Sequence, residues 1–225
     1  MNENAKSLIR DNPEKIPDDM LERVRKLSPS LLCDAMNSFG TMDYSIKPVK
    51  PGSKVLGTAI TVKVKPGDNL FLHKAIYLSG KGYVIVLDSN AHKACASWGG
   101  MMTRAAAAMG AEGVILDGAV RDVEEIRELG FPVFAACAIP NGPSTNGPGC
   151  INHKISCGGV SVSPGDLVFG DDDGVVAVPP DILENVLLKA EAKAKAEEAR
   201  IREIAEGKLE PDWVREKVSA LMENN

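Results

Sequence analysis

Two short segments of the sequence carry residue types that could bind a small anion and do chemistry on it. The first, Ser97-Trp98-Gly99-Gly100, leads directly into a predicted helix. Paired glycines let the backbone approach a ligand closely, and the first turn of a helix has free N–H groups that attract carboxylate or phosphate. The alternative is that the glycines only make a strand-to-helix turn, and for this segment alone that alternative is the stronger one.

The second segment is DGAVRD at residues 117–122, which follows the apolar run Gly113–Leu116. Sheets of α/β proteins place ligands at the carboxyl ends of such strands. Arg121 stays charged and can bind a carboxylate or oxo group through two parallel hydrogen bonds. Asp122 offers an oxygen ligand for a hard cation, and Glu125 shares a helical face with it. The alternative is an Asp that caps a helix beside a surface Arg.

The elements that must position these two segments can be read from the hydrophobic pattern. The pattern predicts strands at residues 57–64, 83–88, 113–117 and 132–136. It predicts helices at residues 16–27, 28–40, 69–78, 100–109 and 122–129. After Pro140 the sequence predicts a loop and then short strands between residues 159 and 179, separated by PGD and DDDG turns. The alternation of strands and helices predicts an α/β fold with a parallel or mixed sheet and helical crossovers.

A long helix is predicted at residues 181–206, where Ala, Glu, Lys and Leu dominate. At 1.5 Å per residue it would be about 40 Å long, which is more than a domain of this size needs. Its apolar stripe consists of Ile182, Val186, Ala190 and Ala194. We expect this stripe to pack against another subunit. Residues after position 206 are a candidate final helix that docks on a partner subunit.

Length, composition and charge set limits on the function. The chain has 225 residues, of which 44% are hydrophobic and 25% charged, so we expect one domain with its core at about residues 28–180 and a helical extension at 181–225. The net charge of −5 argues against nucleic-acid binding. No apolar segment is long enough for a signal sequence or a membrane span. Five cysteines without a CxxC pair predict reduced thiols in the cytoplasm.

Three blocks of sequence, in this order, resemble the RraA-like family, which includes the 4-hydroxy-4-methyl-2-oxoglutarate/4-carboxy-4-hydroxy-2-oxoadipate aldolases. The blocks are DNLFLHKAIYLSGKGYVIVLD, GVILDGAVRD and CGGVSVSPGDLVFGDDDGVVAVP. The resemblance extends from Ser28 to Pro179. It includes the turn at Gly99-Gly100, called the glycine turn below. It implies the swivelling β/β/α fold, with N-terminal helices and the long C-terminal extension added in this chain. It also implies a homotrimer, or a hexamer formed by two trimers, with active sites completed at subunit interfaces.

The resemblance assigns substrate binding to the glycine turn. By this resemblance, the backbone of Gly99, Gly100, Met101 and Met102 binds the carboxylate of a pyruvyl group. The chain departs from the family at Gly100, where family members often carry an acidic residue. In those members the acidic residue makes a contact outside the ligands of the metal, and this contact affects the proton path or the range of substrates. Gly100 is not expected to make that contact here.

The resemblance assigns the remaining roles to the family's RDxxE/D pattern. Arg121 is expected to hold the carboxylate or keto oxygen of a 2-oxo acid, and Asp122 to bind Mg²⁺ or Mn²⁺. Glu125 is expected to order water around the metal. Together they predict a class II (metal-dependent) pyruvate aldolase, a lyase that cleaves a 4-hydroxy-2-oxo acid to pyruvate through a metal-stabilised enolate. Oxaloacetate decarboxylation shares that enolate and is a second expected activity.

A different class of function remains open, because some family members regulate ribonuclease E by binding it. Those regulators tend to be compact, whereas this chain has helical segments at both ends. Asp34 is either a surface acid of the second helix or a group that reaches a neighbouring subunit's site. A zinc site at Cys150, His153 and Cys157 is not favoured, because only three ligands occur and their spacing matches no standard finger. His73 has no clustered partner in the sequence and is left out of the predicted site.

Overall fold

The computed structural model describes residues 8–223 of the chain. Seven helices lie wholly within those residues: Asp18–Val24 (α1), Pro29–Ala35 (α2), Leu70–Ile76 (α3), Gly100–Ala108 (α4), Val123–Leu129 (α5), Pro180–Ala205 (α6) and Asp212–Glu223 (α7). The described strands are Lys47–Pro48 (β1), Val55–Val64 (β2), Tyr83–Asp88 (β3), Ala96–Trp98 (β4), Gly113–Val120 (β5), Val133–Ala138 (β6), Gly149–Ile151 (β7), Ile155–Cys157 (β8), Val160–Val162 (β9), Leu167–Asp171 (β10) and Gly174–Val178 (β11). The predicted α/β class is confirmed, as are helices before the sheet and a long helix after it.

One nine-stranded sheet forms the centre of the fold. Its main strand order is β1-β6-β5-β3-β2-β10-β11, with β4 paired to β5 and β7 paired to β2. Strands β2, β3, β5 and β6 are parallel, and α3, α4 and α5 connect them along the chain, as the sequence predicted. The backbone at residues 40–42 hydrogen bonds to β11 and then leads to β1 at the opposite edge, so the sheet is nearly closed.

The central strands are covered on both faces. All eight residues of β5 are buried, which explains why its sequence is apolar except for Asp117 and does not alternate with polar residues. One face packs against α3, α4 and α5 through a cluster that includes Leu72, Trp98 and Ile126. The other face packs against the β8–β9 hairpin through a cluster that includes Phe134 and Cys157. This packing holds the ends of β4 and β5 rigidly beside each other.

The second helix is shorter than predicted. Ser28 caps it by accepting a hydrogen bond from the Leu31 N–H at 3.3 Å, as its position before proline indicated. The helix ends at Ala35, and residues 37 and 38 adopt positive φ before Gly40. Gly40 does not simply stop the helix. Its φ of +81°, and the carbonyl of Ala177 lying where a side chain would begin, require glycine at this point of sheet closure.

The apolar stripe of the long helix α6 is covered by this chain's own helices. Leu183, Val186, Leu187 and Ala190 are buried in a cluster with α1, α2, β10 and β11. The prediction that the stripe packs against another subunit is therefore wrong. Hydrophobic periodicity identifies the face of a helix that must be buried, but it does not identify the partner. Ile182, which the prediction placed in the stripe, lies at the edge of this contact and is 37% exposed.

Adjacent leucines of α6 give a matched test of this packing. Leu187 is fully buried, whereas Leu188 is 57% exposed. We expect Leu187→Ala to lower the free energy of unfolding by about 2–5 kcal/mol, because it removes buried methyl groups and leaves a cavity. Leu188→Ala should change it by less than about 0.5 kcal/mol. Urea denaturation of both variants measures the difference, and equal losses would contradict this account of the helix.

Candidate active site

The two predicted segments meet because β4 and β5 are neighbouring parallel strands. Trp98 pairs with Val120, and the Arg121 N–H donates to the Trp98 carbonyl at 2.9 Å. The glycine turn therefore leaves β4 at the point where Arg121 and Asp122 leave β5. The sequence did not predict β4 as a strand. Its three residues are too few for a periodic pattern, and it forms only by pairing with β5.

Asp122 connects the ends of these two strands. It occupies the N-cap position of α5 with φ 58° and ψ 41°, the left-handed region, yet its side chain does not cap that helix. Instead its Oδ2 accepts a hydrogen bond from the Gly100 N–H at 3.0 Å. The Arg121 Nε lies 3.7 Å from the same oxygen. The alternative of a simple capping aspartate is wrong, because the carboxylate faces the start of α4.

The paired glycines are explained by the carboxylates that lie against them. A side chain at position 99 would begin 2.7 Å from Asp122 Oδ2. A side chain at position 100 would overlap the Glu125 carboxylate. Arg104 of α4 holds that carboxylate in place, with Nε 2.6 Å from Oε1. Glu125 therefore fills, from α5, the space that a side chain at position 100 would occupy.

A double-mutant cycle tests this explanation of Gly100. In the wild-type background, Gly100→Ala must displace the Glu125 carboxylate and so is expected to be destabilising. In a Glu125→Ala background the carboxylate that the new side chain would meet is absent, and the substitution should be neutral or stabilising because alanine is the better helix former. We expect a coupling of about 0.5–3 kcal/mol between the two positions. Urea denaturation of the four proteins measures it, and additive effects would show that Gly100 and Glu125 do not compete for space.

A cavity of about 100 Å³ opens beside the glycine turn. Since a water molecule takes roughly 30 Å³ of liquid volume, the cavity has room for a small ligand. Five of the seven predicted site residues line it, namely Gly99, Met101, Met102, Arg121 and Asp122. Gly100 and Glu125 are not part of this lining. The structure thus brings most of the predicted site to one cavity and places the other two residues in contact with its wall.

Arg121 and Asp122 also line a second, more open depression of about 350 Å³. Its other walls come from Val123 and from residues 138–140 after β6. The pair thus lies between a narrow cavity and a wide one. A ligand held at Arg121 could extend from the first into the second.

The lining of the narrow cavity also includes Asn69 and His73, which were not predicted as site residues from the sequence. Asn69 lies at the N-cap of α3 and His73 within that helix. They are four residues apart, and this spacing places them on one helical face, which is a signal the sequence contained. His73 is partly buried, and burial lowers its pKa below the usual range. Burial therefore favours the uncharged form of the imidazole.

Asp117, in the middle of β5, holds the loop that leads into the candidate site. Its Oδ1 accepts hydrogen bonds from the Ser89 N–H at 2.8 Å and from the Ser89 hydroxyl at 2.6 Å. Its Oδ2 accepts from the Ala91 N–H at 3.0 Å. Burial raises the pKa of this carboxyl in spite of these three bonds. The contacts fix the loop between β3 and β4, which leads to the glycine turn.

The donor set at Asp122 fits a hydrated hard cation. Its side chain is 43% exposed. Within residues 8–223, no group of three or more His, Cys, Asp or Glu side chains is arranged to hold a metal ion. A single carboxylate open to solvent suits Mg²⁺, which keeps several of its waters, but it does not suit the closed ligand sets of structural zinc. Asp34 is elsewhere, paired with Lys193 of α6.

Comparison with known proteins identifies the family. A family model described as RraA-like, Aldolase/RraA, matches residues 30–177. A protein of Halalkalibacterium halodurans is 38% identical over 188 residues, which cover 84% of this chain and 90% of that protein. That protein carries the provisional name 4-hydroxy-4-methyl-2-oxoglutarate aldolase. The chain belongs to the RraA-like family.

Solved structures of RraA-like proteins share the fold. Streptomyces coelicolor RraAS2, described as an unusual member of the RNase ES inhibitor RraA family, has a TM-score of 0.75 at 25% identity and covers 84% of this chain and 98% of its own. The RNA-processing inhibitor RraA of Thermus thermophilus has a TM-score of 0.62 at 28% identity, with 67% of this chain and 92% of its own covered. The family resemblance and the swivelling β/β/α fold are confirmed. Among the described residues, no helix combines the length and apolarity that crossing a membrane would require.

Proposed function

We propose that this RraA-like protein is a divalent-metal-dependent lyase that releases pyruvate from a 4-hydroxy-2-oxo acid of the 4-hydroxy-4-methyl-2-oxoglutarate type. The names of relatives such as the Halalkalibacterium halodurans protein support the reaction class. The observation that carries the proposal is the Arg121–Asp122 pair beside the start of α4, in a cavity of small-ligand size. A guanidinium and free backbone N–H groups can bind the oxygens of a 2-oxo acid, and a carboxylate can bind the metal ion.

The start of α4 leaves two N–H groups for the substrate. The Gly100 N–H is taken by Asp122, and the Thr103 N–H makes a helical bond to the Gly99 carbonyl. The N–H groups of Met101 and Met102 belong to the first turn, where helical geometry supplies no partner. They can donate to a substrate carboxylate, and the helix dipole adds to the attraction. Arg121 then binds the carboxylate or the keto oxygen from the other side.

These residues would stabilise the charge that develops when the bond between C3 and C4 breaks. Arg121 and the start of α4 present preorganised positive potential to the enolate end of the substrate. A divalent cation held by Asp122 would supply Lewis-acid stabilisation of that same charge. Glu125, fixed by Arg104, lies against Gly100 and would order water around the metal. Loss of carbon dioxide from oxaloacetate leaves the same enolate, so we include this activity in the proposal.

The test is pyruvate release from 4-hydroxy-4-methyl-2-oxoglutarate and from oxaloacetate by the full-length protein. Each substrate is assayed with Mg²⁺, with Mn²⁺ and with EDTA. We expect turnover with metal and baseline rates with EDTA. Absence of turnover for both substrates, with the protein folded and metal present, would refute the proposal.

A second candidate function is favoured by the solved relatives that are described as ribonuclease or RNA-processing inhibitors. In that case the chain would bind a ribonuclease without catalysing a reaction. Helices α6 and α7 extend beyond the part of the chain matched by the family model. Inhibition of ribonuclease E by the purified protein, in the absence of lyase turnover, would support this function over the first.

We also propose a homotrimer or hexamer in which subunit interfaces complete the sites. The open depression beside Arg121 and Asp122 supports this arrangement, because a second subunit could close it. Light scattering coupled to size exclusion should then give three or six times the chain mass of 23.9 kDa. A monomeric mass would refute it. All five cysteines are free, which fits the cytoplasmic location that we propose.

A further inference from the structure

In the buried side-chain amide of Asn69 the nitrogen has hydrogen-bond partners, whereas the oxygen has none among the described residues. The residue is 4% exposed, and its Nδ2 donates to the Ser97 carbonyl at 3.2 Å and lies 3.5 Å from the Met102 sulfur. Its Oδ1 is buried and has no hydrogen-bond partner among residues 8–223. Buried polar atoms are normally paired, and an unpaired acceptor costs free energy. The unpaired oxygen therefore calls for an explanation.

The orientation of this amide is fixed by its neighbours. Exchanging Oδ1 and Nδ2 would place an oxygen against the carbonyl oxygen of Ser97, where two acceptors would repel. The acceptor thus belongs on the unpaired side. Asn69, Ser97 and Met102 all line the narrow cavity, so a ligand bound there is a candidate partner for this oxygen.

His73 is a second hydrogen-bonding group that lines the same cavity. It lies one helical turn after Asn69 and is only partly buried. The charged pair Arg121 and Asp122 lines the same cavity. The lining therefore includes charged groups, suited to a carboxylate and a cation, and an amide oxygen that can accept a hydrogen bond from a hydroxyl group.

We propose that Asn69, with His73 beside it, binds the hydroxyl group of the substrate. This inference rests on the proposed lyase function and adds to it the residues that recognise the hydroxyl at C4. The substrate hydroxyl donates to Asn69 Oδ1 while Arg121 and Asp122 hold the 2-oxo acid end. A site built to hydrogen bond a hydroxyl discriminates against analogues that lack it, because the buried acceptor is then left unpaired.

Two ligands that differ by one hydroxyl test the inference without requiring turnover. Binding of 4-hydroxy-2-oxobutyrate and of 2-oxobutyrate is measured with Mg²⁺ by rapid mixing, before the proposed lyase can cleave the hydroxylated ligand. We expect the wild type to prefer the hydroxylated ligand by about 10-fold, in line with one hydrogen bond to a buried acceptor. Asn69→Ala should abolish that preference and leave the affinity for 2-oxobutyrate within about threefold.

Turnover supplies a second readout. Oxaloacetate in its keto form has no hydroxyl, so Asn69→Ala and His73→Gln should reduce cleavage of 4-hydroxy-4-methyl-2-oxoglutarate about 10–100-fold while sparing oxaloacetate decarboxylation. Equal loss of both activities, or unchanged preference in Asn69→Ala, would overturn the inference. So would failure of the wild type to bind either ligand. A wild type that turns over neither substrate but still prefers the hydroxylated ligand would refute the lyase and leave this binding role standing.

Discussion

Replacing Asp122 with asparagine should reduce metal-dependent pyruvate release by more than about 100-fold. That loss exceeds the roughly 10–100-fold expected for residues that only support a metal ligand, because the substitution removes the anionic oxygen itself. Asparagine is the informative choice for two reasons. It tolerates the left-handed backbone at this position, and its side-chain oxygen can still accept the hydrogen bond from the Gly100 N–H.

The Asp122→Asn experiment therefore separates charge from architecture. Metal affinity should fall together with activity, while urea denaturation should give a free energy of unfolding close to that of the wild type. Glu124→Gln, an exposed position two residues along, removes the same charge outside the cavity and serves as the matched control. Full activity in Asp122→Asn, or an equal loss in Glu124→Gln, would show that this carboxylate does not hold the metal.

Replacing Arg121 with methionine should lower kcat/KM about 10²–10³-fold for both proposed substrates. The methionine keeps much of the apolar stem but removes the charge and the hydrogen bonds that stabilise the developing negative charge. Arg121→Lys should recover part of the loss, because it restores the charge without the two parallel hydrogen bonds. The order of activity is thus expected to be wild type, then lysine, then methionine.

Arg127→Met is the control for this series. Arg127 lies on α5, where its Nε donates to the Val49 carbonyl at 2.9 Å, and it is not part of the cavity lining. Its replacement should leave kcat/KM within about twofold while testing the effect of losing a nearby positive charge. A lysine variant no better than the methionine variant would mean that the positive charge at position 121 does not contribute, and that only the geometry of the arginine hydrogen bonds does. Unchanged kinetics in both would remove Arg121 from the site.

The strands and helices around the site could largely be predicted from the sequence. Strand β3 has the predicted bounds Tyr83–Asp88, and the helix after the glycine turn begins at Gly100 as expected. These elements are long enough to show a continuous apolar run or a clear helix start. Strand β5 runs to Val120, three residues beyond the prediction, because its end is stabilised by β4 and β6 rather than by its own pattern.

The rest of the site depends on contacts between distant parts of the chain. Asn69 and His73 come from the N-cap and body of a helix that lies before β3 in the chain, and only the packed sheet brings them to Arg121. The closeness of Gly100 to Glu125 is of the same kind, since neither residue type alone suggests it. Local patterns predict elements and their buried faces, whereas shared cavities arise from tertiary packing.

The central claim is tested most directly by a metal titration of pyruvate release. Wild-type protein and Asp122→Asn are first treated with chelator, then mixed with 4-hydroxy-4-methyl-2-oxoglutarate and increasing Mg²⁺ or Mn²⁺. We predict that the wild-type rate rises to saturation with metal and returns to baseline with EDTA, while the variant stays near baseline at the same metal concentrations. A wild type that releases no pyruvate at any metal concentration, or whose rate EDTA does not change, would contradict the account.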